Sequence, residues 1–333
     1  MIAVFGASVT QQKNGYATKL SDKFNCPVRI FGYGGMHLNN AAICFIDKVI
    51  YEKPTYCFVD WFSTGYNVAS DKTIQYIDTI INKFSNISCK LIFLFLPYKN
   101  NQAKQDFFFF FCKFVLRKRG VSFIDIDHEI EQYDIDAILT DGTHTTEYGS
   151  NLYSKIIYNK FEEIKNYVRV PIDVPSTKYL SVKKIQVNRV FYDNIKLSGN
   201  CEIIGFLLTI GPHSGMVEVT NGVETQICNI WDRWCHYPRQ HFNLPMEISE
   251  NVQINILHTR FDTSSCNSQM DFKKEKNKLI VHDIYYVGNF LNIDNMHNGY
   301  GINNIIPLKV KFFGRINHYK NRIVDKLWKN KVE

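Results

Sequence analysis

A chain of 333 residues, 45% of them hydrophobic, is long enough for about two domains, each with a full core. Its net charge of +7 is dispersed except at Arg117-Lys118-Arg119 and from Lys309 to Lys331, which is too mild for a nucleic-acid groove, so no nucleic-acid partner is expected. No apolar run reaches the ~18 residues of a membrane span, and no secretory leader precedes the first strand, so a cytoplasmic protein without an integral membrane segment is expected.

From residue 1 to 167, short apolar runs alternate with amphipathic stretches. A strand over Ile2 to Phe5 precedes a helix over Tyr16 to Phe24, and a strand over Val28 to Phe31 precedes a helix over Leu38 to Tyr51. The strand Tyr56 to Phe62 leads to the helix Asp71 to Phe84, and Lys90 to Leu96 leads to Asn101 to Arg119. A fifth strand over Val121 to Ile126 is followed by a helix over Thr146 to Tyr167. Strand and helix in strict turn predict a parallel sheet with helices on both faces, a three-layer α/β/α domain.

Beyond Val168-Arg169-Val170-Pro171 the texture changes to alternating β-branched segments: Tyr179 to Val187, Arg189 to Leu197, Cys201 to Thr209, Met216 to Thr220, Glu224 to Ile230, Val252 to Leu257 and Leu279 to Tyr286. Turn signals at Ser198-Gly199-Asn200, Gly211 to Gly215 and Asn221-Gly222 separate them. The expectation for residues 168–333 is an all-β, jelly-roll-like domain ending in a short basic helix from Arg315 to Lys331.

Nine cysteines, an odd number without a C-x-x-C pair, read as reduced buried thiols. Cys228, Cys235, His236 and His241 lie close together but lack a paired knuckle, so neither a metal nor another cofactor is expected. The run Phe107 to Phe111 makes its helix apolar all round. Burial or a homo-oligomeric interface is expected there ahead of an acyl-chain site.

Ligands of an open parallel sheet meet the carboxyl ends of its strands. Gly6-Ala7-Ser8, Gly34-Gly35 and Gly65-Tyr66-Asn67 all follow strands, and Asp141-Gly142-Thr143-His144 precedes the last helix, so the four segments gather on one rim. A serine hydroxyl needs a base to take its proton, and the base needs a carboxylate to orient it. Asp141 and His144 supply that pair from a single turn, and Ser8 would present its oxygen at the sheet edge. An oxyanion needs donors where charge develops, a role that Gly35 and Asn67 suit.

In these four blocks the chain resembles the SGNH (GDSL-type) hydrolase superfamily: Phe5-Gly6-Ala7-Ser8-Val9-Thr10, Phe31-Gly32-Tyr33-Gly34-Gly35, Gly65-Tyr66-Asn67 and Asp141-Gly142-Thr143-His144, with Gly149 five residues beyond the histidine. The resemblance covers the first half of the chain. It implies a flavodoxin-like parallel sheet, nucleophile Ser8, base His144, orienting Asp141, and oxyanion donors from Ser8, Gly35 and Asn67, with Gly34 an alternative to Gly35. Two positions depart from the pattern: Ala7 stands where G-D-S has Asp, and Val68 where an Asp often follows the asparagine.

Two further groups are substrate-binding candidates. Asp60, at the end of the third strand, carries a charge that could reach the pocket. In the second domain Trp231, Arg233 and Trp234 lie in a cluster of aromatics, histidines and arginines that either stacks on and charges a sugar site or fills the sandwich core. The substrate that the resemblance implies is an acylated carbohydrate, and the reaction is removal of a small acyl group, acetyl foremost. Transfer of that group to a sugar hydroxyl uses the same triad. A glycan-binding protein without activity is the third reading.

Overall fold

The computed structural model describes residues 1–38, 41–63, 68–99, 102–171, 179–232, 235, 238–244, 246–248, 251–257, 276–294 and 300–301. The described residues divide into two compact units, 1–171 and 179–301.

The first unit runs β1 (Ile2–Gly6), α1 (Ser8–Gln11), α2 (Tyr16–Ser21), β2 (Val28–Gly32), α3 (Ala41–Tyr51), β3 (Tyr56–Asp60), α4 (Asp71–Ser85), β4 (Lys90–Phe95), α5 (Gln102–Lys118), β5 (Ser122–Asp125), α6 (Ile126–Glu129), α7 (Ile135–Ile138) and α8 (Glu147–Ile164). All five strands are parallel, in the order β2-β1-β3-β4-β5. Every residue of β1 is buried, as expected of a strand covered on both faces. Because successive side chains point to opposite faces, Ile2 and Val4 pack with Tyr16 and Leu20 of α2 and with Tyr153, Ile157 and Phe161 of α8. Phe5 points the other way, its ring 5.1 Å from that of Trp61, while Tyr33 stacks on Phe45 of α3 at 3.9 Å. The fold is thus the three-layer α/β/α architecture that the alternation of segments implies.

Local chemistry sets the boundaries. Ser70 caps α4 by accepting the Thr73 N–H at 3.2 Å, and Thr146 caps α8 by accepting the Gly149 N–H at 3.0 Å. The third strand ends at Asp60 rather than Phe62, and the fifth stops at Asp125, which caps the one-turn helix α6. The Phe107 to Phe111 run is split by its helix: Phe108 and Phe109 are buried, whereas Phe107 and Phe110 are 65% and 69% exposed. The two long helices α4 and α5 are tied where Arg119 makes a forked pair of hydrogen bonds, 2.7 and 2.8 Å, to the fully buried carboxylate of Asp78. No helix among the described residues is long and apolar enough to cross a membrane.

The second unit contains β6 (Lys183–Phe191), β7 (Asn194–Ile210), β8 (Met216–Thr220), β9 (Thr225–Asn229), β10 (Arg239–Asn243), β11 (Met246–Ile248), β12 (Asn251–Ile256), β13 (Leu279–Asp294) and β14 (Tyr300–Gly301). Pairing is antiparallel throughout, along the path β14-β6-β13-β7-β12-β8-β9, with β10 and β11 also on β7. The strands therefore form one continuous hydrogen-bonded network. Its core is a single cluster of Val187, Phe191, Ile195, Leu197, Phe206, Ile254 and their neighbours.

The Asn221-Gly222 turn forms as expected, with Asn221 Oδ1 accepting the N–H groups of Val223 and Glu224 at 2.9 and 2.8 Å. The turn expected at Ser198-Gly199-Asn200 does not exist, because β7 runs through it for 17 residues. Gly199 is there for close approach instead: a Cβ at that position would lie 2.5 Å from the Phe290 carbonyl of β13. The expected helix from Arg315 to Lys331 lies outside the described residues.

Candidate active site

Chain order and sheet order disagree at β1, whose neighbours β2 and β3 lie on opposite sides, so the carboxyl ends of β1 and β3 form the switch point at which open α/β sheets bind their ligands. Ser8 is the first residue of α1 and sits directly beyond β1. It is half-buried, and the preceding Ala7 is completely buried and donates its N–H to the Asp60 carbonyl at 3.0 Å. The last residue of α1, Gln11, lies against Gly32 and Gly34 of the glycine block. Gly35 follows, exposed and turning at φ 73°.

The Asp141 to His144 segment is the tip of a tight turn whose stem is pinned from both sides. The Thr140 N–H donates to the His144 carbonyl at 2.8 Å, the Thr146 N–H donates to Ile138 at 2.8 Å, and Lys99 N–H donates to the Gly142 carbonyl at 2.9 Å. Inside the turn, Asp141 Oδ1 accepts the N–H groups of Thr143 and His144, each at 2.8 Å. Oδ2 meets His144 Nδ1 at 2.8 Å. Partial burial pushes the Asp141 carboxyl up, but the two backbone donors and the imidazole outweigh it and hold it below the ordinary value. An ionised carboxylate only accepts, so the proton of a neutral His144 sits on Nδ1 and Nε2 carries the free lone pair. The imidazole is half-buried, at 37% exposure.

A residue that the motifs do not contain joins the two halves. Gln12, immediately after α1, donates from Nε2 to the Thr145 carbonyl at 2.7 Å, and its Oε1 accepts both the Thr145 N–H at 3.0 Å and the Thr145 hydroxyl at 3.1 Å. With the Thr145 hydroxyl proton so used, Ser150 donates to Thr145 Oγ1 at 2.6 Å. Gln12 closes α1, the helix that opens at Ser8, so the segment that carries Ser8 is tied to the residue directly after His144. The position of Gln12 four residues after Ser8 was visible in the sequence. Its partner was not.

No protein-family profile matches the chain, and no curated protein matches it either. Among solved structures, the chain is similar to a two-domain esterase (CEX) active on acetylated mannans, co-crystallised with mannopentaose, with 11% identity, a TM-score of 0.64, and 87% of this chain and 91% of that one covered. The chain shares the fold of that two-domain esterase. A second crystal structure of the same two-domain esterase gives a TM-score of 0.62 at 11% identity, covering 86% of this chain and 91% of that one. A putative lipolytic protein of the G-D-S-L family from Desulfitobacterium hafniense DCB-2 matches at 14% identity over 47% of this chain and 97% of its own, with a TM-score of 0.43.

Within this fold, two of the substrate-binding expectations are corrected. Asp60 does not reach a pocket: its side chain is completely buried, because it lies at the end of the central strand β3 with α1 and α2 packed over it. Trp231 is not an exposed stacking platform. It is 8% exposed and belongs to the core cluster of the β unit, which is the other of its two readings. Asn67 of the third block and Arg233 and Trp234 of the aromatic cluster lie outside the described residues. Among the described residues no group of histidine, cysteine and acid side chains is arranged to hold a metal ion.

Proposed function

We propose that the protein is a serine-dependent ester hydrolase that removes small acyl groups, acetyl foremost, from a carbohydrate. The observation that carries this reading is the Asp141–His144 pair, oriented at 2.8 Å and strapped through Thr145 to Gln12, the residue that ends the helix opened by Ser8. In this reading Ser8 Oγ attacks the ester carbonyl while His144 Nε2 takes its proton. Asp141 keeps the ring in the required tautomer and stabilises the imidazolium. The oxyanion is held by backbone N–H groups at Ser8 and Gly35 and by the Asn67 amide. Collapse of the intermediate expels the sugar hydroxyl, protonated by His144, and leaves an acyl ester on Ser8. Water, deprotonated by His144, then releases the acid.

The substrate class is supported by the similarity of both units, in one order, to an esterase active on acetylated mannans. The test measures acetate release from p-nitrophenyl acetate and from acetylated mannan by wild type and Ser8→Ala. Loss of at least about 10³-fold in kcat is expected for the variant. A Ser8→Ala protein as active as wild type overturns the mechanism. Acetyl groups gained by an acceptor glycan in the same mixture would instead assign transfer to this site.

A further inference from the structure

The Ser8 turn rests on a buried polar floor in which Thr10 of the first block meets Asp60 and Tyr16, two residues outside the four blocks. Asp60 Oδ2 accepts the Thr10 hydroxyl at 2.8 Å, and the Tyr16 hydroxyl lies 3.1 Å from the same oxygen and 2.8 Å from Thr10 Oγ1. The Asp60 main-chain carbonyl accepts the Ala7 N–H at 3.0 Å. One residue of β3 thus holds the chain immediately before Ser8, two residues after it, and at the start of α2. All of these groups are sealed from water: Asp60 and Tyr16 are fully buried and Thr10 is 1% exposed. The backbone approach beneath them is equally tight, since a Cβ on Gly6 would lie 2.2 Å from the Asp60 carbonyl oxygen and 2.4 Å from Thr10 Oγ1.

Hydrophobic packing alone would have closed this space more cheaply, because a buried carboxyl group without a cation is costly to keep charged. Burial pushes Asp60 up to about 6, against the pull of Ser63, Thr10 and Tyr16. Ser63 lies close enough to favour the charged form, yet among the described residues neither its hydroxyl nor Asp60 Oδ1 makes a hydrogen bond of good geometry. Burial, and then the Asp60 charge, push the Tyr16 phenol well above its ordinary value, so it stays protonated and available as a donor. A group that costs stability and is wired to both sides of one residue is placed for that residue.

Building on the hydrolase reading of Ser8, we propose that Asp60 is a positioning residue, which fixes the orientation of the Ser8 hydroxyl by bracing α1 through Thr10 and Ala7. It touches no substrate and takes no proton in the reaction. Its loss therefore lowers kcat and leaves KM unchanged.

The experiment compares Asp60→Asn, Thr10→Val, Thr10→Ser and Ser8→Ala in the full chain on p-nitrophenyl acetate, with a thermal melt for each. Asp60→Asn and Thr10→Val are expected to lose about 10- to 100-fold in kcat with KM held within about twofold, the scale of a nucleophile displaced by a fraction of an ångström. Thr10→Ser, which keeps the hydroxyl, restores wild-type kcat. A purely structural role predicts a lower melting temperature with kcat unchanged. Should Asp60→Asn fail to fold, the Thr10→Val and Thr10→Ser pair decides by itself. Folded Asp60→Asn and Thr10→Val proteins with wild-type kcat, alongside an inactive Ser8→Ala, overturn the proposal. An active Ser8→Ala overturns the hydrolase reading beneath it instead.

Discussion

Removing the Gln12 side chain isolates the strap between the two halves of the site. Gln12→Ala deletes three hydrogen bonds to Thr145, a residue 1% exposed, and leaves its N–H and carbonyl to find other partners. At a net ~0.5–1.5 kcal/mol per bond the sum is about 1.5–4.5 kcal/mol. The lower part of that range is expected as lost stability, because the Asp141 turn keeps its own bonds through Thr140, Thr146 and Lys99. The larger effect falls on alignment. A turn free to shift by about 1 Å costs on the order of 100-fold in kcat, which is about 2.7 kcal/mol of barrier. Gln12→Glu sharpens the comparison, since it retains the acceptor for the Thr145 N–H but sets a carboxylate oxygen against the Thr145 carbonyl. It is expected to be as impaired as Gln12→Ala. The assay is steady-state hydrolysis of p-nitrophenyl acetate beside the rate of Ser8 labelling by a fluorophosphonate. Both rates fall together if the strap aligns Ser8 with His144. A folded Gln12→Ala protein with wild-type kcat and labelling rate refutes the reasoning.

Two predictions concern stability. Because burial raises Asp60 to about 6 from 3.8, the folded chain holds a proton between those values that the unfolded chain has lost. Stability therefore falls as pH rises from about 4 to about 6, and Asp60→Asn, which cannot titrate, gains on wild type by roughly 3 kcal/mol over that window. Paired melts across pH 4 to 7 read this directly, and a difference that stays flat refutes it; Asp127, also raised to about 6, is common to both proteins. Arg119→Ala leaves the fully buried Asp78 carboxylate without its fork. A loss of about 3 kcal/mol, or roughly 10 °C in the melting of the first unit, is expected, and an unchanged melting temperature would show that α4 and α5 do not depend on the pair.

What could be read in the chain was what is local. Asp141 and His144 are three residues apart, so the turn that joins them follows from spacing, and the alternation of apolar runs fixes a parallel sheet whose rim collects Ser8 and the glycine block. Contacts between distant segments carry no such mark. Gln12 is an ordinary polar residue until Thr145, 133 positions later, is brought beside it. Asp60 was legible as an acid at a strand end, but whether it faces a crevice or the interior depends on how α1 and α2 cross over it. Gly199 reads as a turn because the strand that crowds it, around Phe290, is far away in sequence. Trp231 is ambiguous for the same reason: stacking platforms and core aromatics share a composition, and only packing separates them.

The Gln12–Thr145 contact also orders events in time. A ribosome delivers Ser8, Gln12 and the Asp60 floor well before it delivers Thr145, and helix α8, capped at Thr146, follows later still. Until that end of the unit emerges and docks, the Ser8 turn lacks its outer brace, and the Asp141–His144 pair that the proposed mechanism needs is not in place. The arrangement therefore assembles only when the first unit is complete, and on the proposed mechanism a nascent or truncated chain holding Ser8 alone is inactive.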